Sequence, residues 1–287
     1  PDVIHVTVPD MVGIYLMRYA RKRDIPVVTS FHTDFPSYLK SYHLGALYEP
    51  SWRFFKWFYN KSRIVLAPTE EIIGKLKSRG IRNLKLWNRG IHLNHFNTDF
   101  RSTSLRREWG AENKKVILYC GRFVWYKDLQ TFIDVYNLFK RNKDENVKFV
   151  LAGDGPIAAQ LKEQMPDACF PGYLEPKELA RVYASSDLLL FPSTTETFGN
   201  VVLEALSSGI PAVVSDEGGC KEIVERSNAG MVAKAKDASN FYICSKLLLE
   251  NRSLYQQYRK NGLAYAVQQD WSRINGRVIR EYYTASG

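Results

Sequence analysis

The chain has 287 residues, 45% of them hydrophobic and 24% charged. That balance is that of a globular and not a disordered chain, and the length suits two domains of ordinary size, each with its own core. The formal net charge of +10 attracts phosphorylated ligands, nucleic acid or anionic lipid, or serves solubility alone. No apolar run reaches the length of a membrane span, and no basic-then-apolar leader opens the chain. It begins at Pro1, so the expectation is a fragment of a longer protein. Cys120, Cys169, Cys220 and Cys244 are scattered, with no C-x-x-C pair. Free thiols in a reducing, cytoplasmic compartment are expected rather than a disulfide frame or a zinc site.

Short β-branched runs alternate with amphipathic runs along the whole chain. Residues 3–8 read as a strand, 11–23 as a helix and 26–32 as a strand. Residues 45–60 read as a long aromatic helix, interrupted near Pro50. A strand at 63–68 leads to a helix that Thr69 can cap and Gly80 can end. A short strand follows at 84–87, then a polar, irregular connection. The second set begins with a strand at 116–120 and a helix at 128–141. A strand at 148–153 precedes a helix opening at Pro156. A brief strand at 169–173 and a helix at 176–186 follow, then strands at 187–193 and 211–216, and helices to the end. This order predicts an α/β protein with two doubly wound, parallel-sheet, Rossmann-like domains. The expected divisions are 1–100, 101–268 and a C-terminal helix over 269–287.

In open parallel sheets ligands sit at the carboxyl ends of the strands, so the residues after each strand carry the argument. After strand 116–120, GRFVWYKD places Gly121, which admits close approach, between that strand and two cations, Arg122 and Lys127. A guanidinium, an ammonium and a helix start make a diphosphate site; the alternative is two solvated surface cations. GDGPIA at 153–158 fits G-x-G-x-x-A, but Asp154 would put negative charge where a pyrophosphate belongs. A tight turn before a proline-started helix explains it more simply.

After strand 187–193 comes TTETFGNVVLEALSSG, 194–209. Its helix is expected to start near Phe198, leaving free N–H groups around Thr197, Phe198, Gly199 and Asn200. Glu196 lies on the loop and Glu204 on the helix, and side chains there lean toward the N-terminus. Two carboxylates would repel a diphosphate, so they must address hydroxyls, for which they are acceptors. The ligand expected is a nucleoside diphosphate sugar: Glu204 on the ribose, Glu196 on the sugar, Arg122 and Lys127 on the phosphates. The alternative is a turn glutamate and a solvated helix glutamate.

Together these residues resemble retaining glycosyltransferases of the two-Rossmann-domain (GT-B) class, family four, over nearly the whole chain. Glu196 to Glu204 matches the family's E-x7-E element, and Arg122 with Lys127 its diphosphate-binding pair. GDGP, ASSDLLLFPS and SSGIPAVVS match as well, and LWNRGIHLNHFN is most similar to the mannosyltransferase and sulfolipid-synthase branch. The resemblance implies that His32, in SFHTDFPSYL, reaches the donor sugar, the alternative being a structural histidine; Asp34 nearby could orient it or contact the acceptor. The resemblance also implies an incomplete N-terminal domain, since the glycine-rich loop after the family's first strand has no counterpart here. It implies that the C-terminal helix returns to the N-terminal domain. The loop PGYLEPK, 171–177, should lie beside the base, where Glu175 could accept from guanine.

The function this implies is transfer of a hexose, with GDP-mannose the first choice of donor and UDP-sugars the second, to a lipid or glycan hydroxyl with retained configuration. Arg122, Lys127 and the helix start would stabilise the leaving diphosphate. Neither cofactor nor metal is expected, there being no Asp-x-Asp element. Glu196, His32, Arg122 and Lys127 are the catalytic candidates. The stretch 38–63 interleaves aromatic and basic residues, as a peripheral membrane surface would, or as a buried helix with a basic rim. A nucleotide-sugar-binding protein without catalysis also fits. No nucleic-acid-binding motif is present, and no pyridoxal-lysine context for a phosphorylase.

Overall fold

The computed structural model describes residues 1–41 and 44–287, with backbone alone at positions 38, 40 and 41. That part of the aromatic-basic stretch therefore lies outside the described residues. The chain divides into two compact units, Pro1–Gly90 with Trp271–Gly287, and Ile91–Asp270.

In the first unit, β1 (Ile4–Val6), β2 (Val27–Ser30), β3 (Ile64–Ala67) and β4 (Leu84–Leu86) form a parallel sheet in that order. Every residue of β2 and β3 is buried, as a sheet covered on both faces requires. Helix α1 (Met11–Arg21) starts where Asp10 accepts from the Gly13 N–H at 2.7 Å. Helix α2 (Phe35–Ser41) follows β2. Helix α3 (Tyr48–Tyr59) is continuous through Pro50. Proline in a first turn needs no intrahelical N–H, so the interruption expected there does not occur. Thr69 caps α4 (Glu70–Ser78) through the Ile72 N–H at 3.2 Å.

Side chains alternate across this sheet with the two-residue period of a strand. Phe31, Val65 and Ala67 join the core that includes α3 residues Trp52, Phe55 and Phe58. Val28, Ile64 and Leu66 face Val278 and Ala285 of the last helix, α13 (Trp271–Ser286). The C-terminal residues thus complete the first unit.

The second unit holds β5 (Lys115–Cys120), β6 (Val147–Ala152), β7 (Cys169–Gly172), β8 (Leu188–Phe191), β9 (Ala212–Ser215) and β10 (Gly230–Ala233). They form one parallel sheet in the order β10-β9-β8-β5-β6-β7. The chain winds outward from β5 to β7, then restarts at β8 on the other side of β5. The strand order therefore reverses between β5 and β8, and a ligand crevice is expected outside the carboxyl ends there. Helices α5 (Thr103–Glu108), α6 (Leu129–Arg141), α7 (Ala158–Gln164), α8 (Pro176–Ser185), α9 (Asn200–Ser207), α10 (Cys220–Ser227), α11 (Ala238–Glu250) and α12 (Arg252–Gln268) complete the unit.

Two helices start later than the sequence suggests. α7 begins at Ala158 because residues 155–157 make a turn, the Ala158 N–H bonding to Gly155 O at 3.0 Å. α9 begins at Asn200 because Gly199, at φ 99°, adopts a left-handed conformation. Phe198 before it is only 3% exposed and belongs to the core.

Candidate functional site

The loops after β5 and β6, on one side of the reversal of the second sheet, are fastened to one another through their backbones. The Gly121 N–H bonds to Ala152 O at 3.0 Å, and the Phe123 N–H to Asp154 O at 2.9 Å. A Cβ on Gly153 would stand 1.9 Å from the Gly121 carbonyl oxygen. The glycine of GDGP is thus a requirement of close backbone approach, not a pyrophosphate fingerprint. Over these strand ends opens a cavity of about 380 Å³, whose lining includes Gly121, Arg122, Gly153, Asp154, Tyr173 and Leu174. Arg122 is exposed at its mouth. Glu175, two residues beyond Tyr173, is exposed at the residue before α8 and stands outside that lining.

After Arg122, a single 3-10 turn over Trp125–Lys127 leads into α6 through Asp128, left-handed at φ 55°. The Thr131 hydroxyl donates to the Asp128 carboxylate at 2.8 Å and fixes that corner. Lys127 is thereby turned toward the loop after β8, where its Nζ donates to Glu196. Lys127 is 14% exposed and Glu196 25% exposed in their side chains, so the pair is accessible yet partly shielded. Thr195 Oγ1 donates to Tyr126 O at 3.4 Å, a second tie between the two loops.

The loop after β9 supports the same segment from the other side. The Gly219 N–H bonds to Glu196 O at 2.8 Å. A Cβ on Gly219 would meet Thr197 O at 2.5 Å, so only glycine permits this contact. Thr197 is held in the loop, and Asn200 is exposed at the first position of α9.

Glu204 sits one turn into α9, where Tyr183 Oη donates to its Oε2 at 2.8 Å. Burial raises its pKa, and the Tyr183 bond opposes that rise. Tyr183 was not legible as a site residue. It lies on the buried face of α8, 21 residues away, in a run that reads only as an amphipathic helix. The structure thus joins Lys127 to Glu196, Gly121 and Arg122 to the cavity, and Glu204 to Tyr183. Among the described residues, no group of three or more His, Cys, Asp or Glu is placed to hold a metal ion.

In the first unit His32 follows β2, with its ring against Trp87 at 5.3 Å between centroids. Its Nε2 is 2.7 Å from Ser30 Oγ and its Nδ1 2.8 Å from an Arg89 nitrogen. Burial, then the Arg89 charge, then His5 push its pKa down to about 4, so the imidazole is neutral at pH 7. Asp34 is occupied otherwise, accepting from Lys75 and from Ser37 Oγ at 2.6 Å.

The family model "Glycosyl transferases group 1" matches residues 102–264, and "Glycosyltransferase Family 4" matches residues 1–95. A GDP-mannose-dependent alpha-mannosyltransferase of Corynebacterium glutamicum is 32% identical, over 83% of this chain and 56% of its own length. Sulfoquinovosyl transferase SQD2 of Arabidopsis thaliana is 29% identical, over 100% of this chain and 57% of its own. The chain thus spans a little over half the length of these relatives. Among solved structures, Anabaena HepE in complex with UDP-glucose superimposes with a TM-score of 0.82 at 21% identity, over 99% of this chain and 79% of that one. Sucrose-phosphate synthase from Thermosynechococcus elongatus gives 0.83 at 19% identity, over 99% and 74%. Both likenesses concern the GT-B fold.

Proposed function

The chain belongs to the glycosyl transferases group 1 family, and on that premise we propose that it serves transfer of a hexose from a nucleoside diphosphate sugar to an acceptor hydroxyl, with retained anomeric configuration. The observation that carries this reading is the arrangement of Arg122, the Lys127–Glu196 pair and Glu204 around the reversal of the second sheet. Cations and carboxylates alternate there, as a ligand with a charged centre and hydroxyl-rich ends requires.

Arg122 and Lys127 hold the diphosphate and stabilise its charge as it leaves. Glu196, steered by Lys127, accepts from the sugar hydroxyls, and Glu204 accepts from the ribose. In a same-face substitution the departing phosphate oxygen takes the proton of the acceptor hydroxyl, so no protein base is needed on the far face. A glycosidase-type route would want two carboxylates about 5 Å apart across the bond; Glu196 is instead committed to Lys127. His32 is proposed to contact the donor sugar, and the acceptor to be a lipid or glycan.

GDP-mannose is the favoured donor, supported by the name of the Corynebacterium glutamicum relative. Titration calorimetry with GDP and UDP tests this: GDP should bind at least tenfold more tightly, and tighter UDP binding would overturn the guanine reading. Glu204→Ala should weaken either nucleotide by ten- to a hundredfold, the loss of one or two charge-assisted hydrogen bonds. Glu196→Ala should leave nucleotide affinity within about threefold while impairing sugar transfer. Unchanged nucleotide affinity in Glu204→Ala removes the ribose role. We propose cytoplasmic action with peripheral contact to an anionic membrane.

A further inference from the structure

A hydrogen-bond chain runs through the first unit from the C-terminal helix to His32. Tyr282 Oη lies 2.6 Å from His5 Nδ1, and His5 Nε2 lies 3.0 Å from Ser30 Oγ. Ser30 Oγ is 2.7 Å from His32 Nε2, and His32 Nδ1 is 2.8 Å from Arg89. The last link fixes the direction of all the others. A guanidinium donates and never accepts, so His32 Nδ1 must be the acceptor. A neutral imidazole has one donor and one acceptor, so Nε2 carries the proton and donates to Ser30 Oγ. The single hydroxyl hydrogen of Ser30 is then directed to His5 Nε2. His5 keeps its proton on Nδ1 and donates it to Tyr282 Oη. Every donor in the chain points away from Arg89.

We propose that Arg89 fixes His32 as the Nε2–H tautomer, with Ser30, His5 and Tyr282 as positioning residues that hold it in register. In that tautomer the ring can meet a sugar hydroxyl only as a hydrogen-bond donor, exchanging Ser30 for it. It does not act as a proton acceptor, because its only lone pair faces Arg89. This deepens the reading of His32 as a sugar contact and rests on it. The surroundings agree with neutral rings. Burial lowers the pKa of both His5 and His32, and Arg89, after β4, and His5, on β1, lower that of His32 further. Trp87 packs against both imidazoles, at 5.7 and 5.3 Å between centroids.

The test is a pH series of long-range 1H–15N correlation spectra on the whole chain, without donor, labelled at its five histidines and assigned with His32→Gln. His32 should show a pyrrole-like Nε2 and a pyridine-like Nδ1, and protonate only near pH 4. A pyrrole-like Nδ1, or a midpoint near the ordinary 6.5, overturns the proposal. Arg89→Met should admit the other tautomer and raise the midpoint by about one unit, the usual effect of removing one nearby like charge. Unchanged spectra in that variant would also overturn it. Tyr282→Phe should shift His5 to a mixture of tautomers and leave the His32 tautomer in place; reversal at His32 would mean that Arg89 does not set the direction. These spectra need no donor, so their failure leaves the transferase reading intact. Failure of the Glu204 binding test, in turn, leaves the tautomer assignment intact.

Discussion

Burial at α9 works against the charge of Glu204. Desolvation raises its pKa above the ordinary 4.5, and one hydrogen bond from Tyr183 offsets only part of that. A carboxyl group whose folded pKa is raised favours the folded state in its protonated form. Its contribution to stability is present below the ordinary pKa and is lost as pH rises through the folded value. At pH 7 the ionised group therefore costs stability. Ribose binding has the opposite need, an ionised acceptor for two hydroxyls. Glu204→Gln should therefore stabilise the unit at pH 7 by roughly 1 kcal/mol, the common size of a favourable single substitution. It should weaken nucleotide binding at the same time. Denaturant melts and calorimetry on one preparation check both signs, and a destabilised glutamine variant would contradict the account. For the same reason, wild-type nucleotide affinity should begin to fall, as pH is lowered, at a higher pH than an unperturbed glutamate would give. Glu204 itself was legible from its spacing to Glu196. Tyr183 and Arg89 were not, because each acts on a partner 21 or 57 residues away and no local pattern records the pairing.

The same contrast holds among elements. Strands β2, β3, β5 and β8 were legible because a parallel strand covered on both faces is mostly apolar or β-branched, as VVTS, IVLA, KVILYC and LLLF are. The starts of α7 and α9 were not, because backbone contacts at Gly155 and Gly199 decide them rather than a capping side chain. The last helix was legible as amphipathic, yet its partner surface could be named only by family resemblance. That surface is the Val28, Ile64 and Leu66 face of the first sheet, met by Val278 and Ala285. A chain ending at Asp270 would expose it. Burial of an aliphatic side chain contributes ~1.5–3 kcal/mol, so exposing two or three such side chains should cost about 3–9 kcal/mol. Hydrogen exchange should show the β2 and β3 amides losing protection by at least a hundredfold. The β5, β6 and β8 amides, whose core has its own residues, should change little. Equal protection of β2 in both chains would show that α13 is not needed to hold that sheet.

For the whole molecule, the +10 charge suits either an anionic partner or solubility alone, and the first unit shows where charge and apolar surface meet. α3 buries Trp52, Phe55, Phe58 and Tyr59, so the aromatic stretch is core on one face. On its other face Phe54 and Trp57 remain 37% and 44% exposed. Lys61 stands over the Trp57 ring at 4.1 Å. Neighbouring α1 exposes Met11, Val12 and Tyr15. Arg18, Arg21, Lys61 and Arg63 line a cavity of about 650 Å³ beside Trp57. No helix among the described residues is long and apolar enough to cross a membrane; the proposed contact with a lipid surface would use this combination of exposed aromatic and basic side chains. Each basic residue near an anionic surface contributes about 1 kcal/mol, and the attraction is lost within a Debye length of about 10 Å at 0.1 M salt. The chain should therefore co-sediment with vesicles containing a third anionic lipid at low salt, and release as salt is raised. Neutral vesicles should retain little. Replacing Arg18, Arg21, Lys61 and Arg63 together by glutamine should weaken binding by at least a hundredfold, while GDP affinity stays unchanged. Binding that persists in the quadruple variant, or fails in wild type at low salt, would remove the membrane role and return this surface to ordinary solvation.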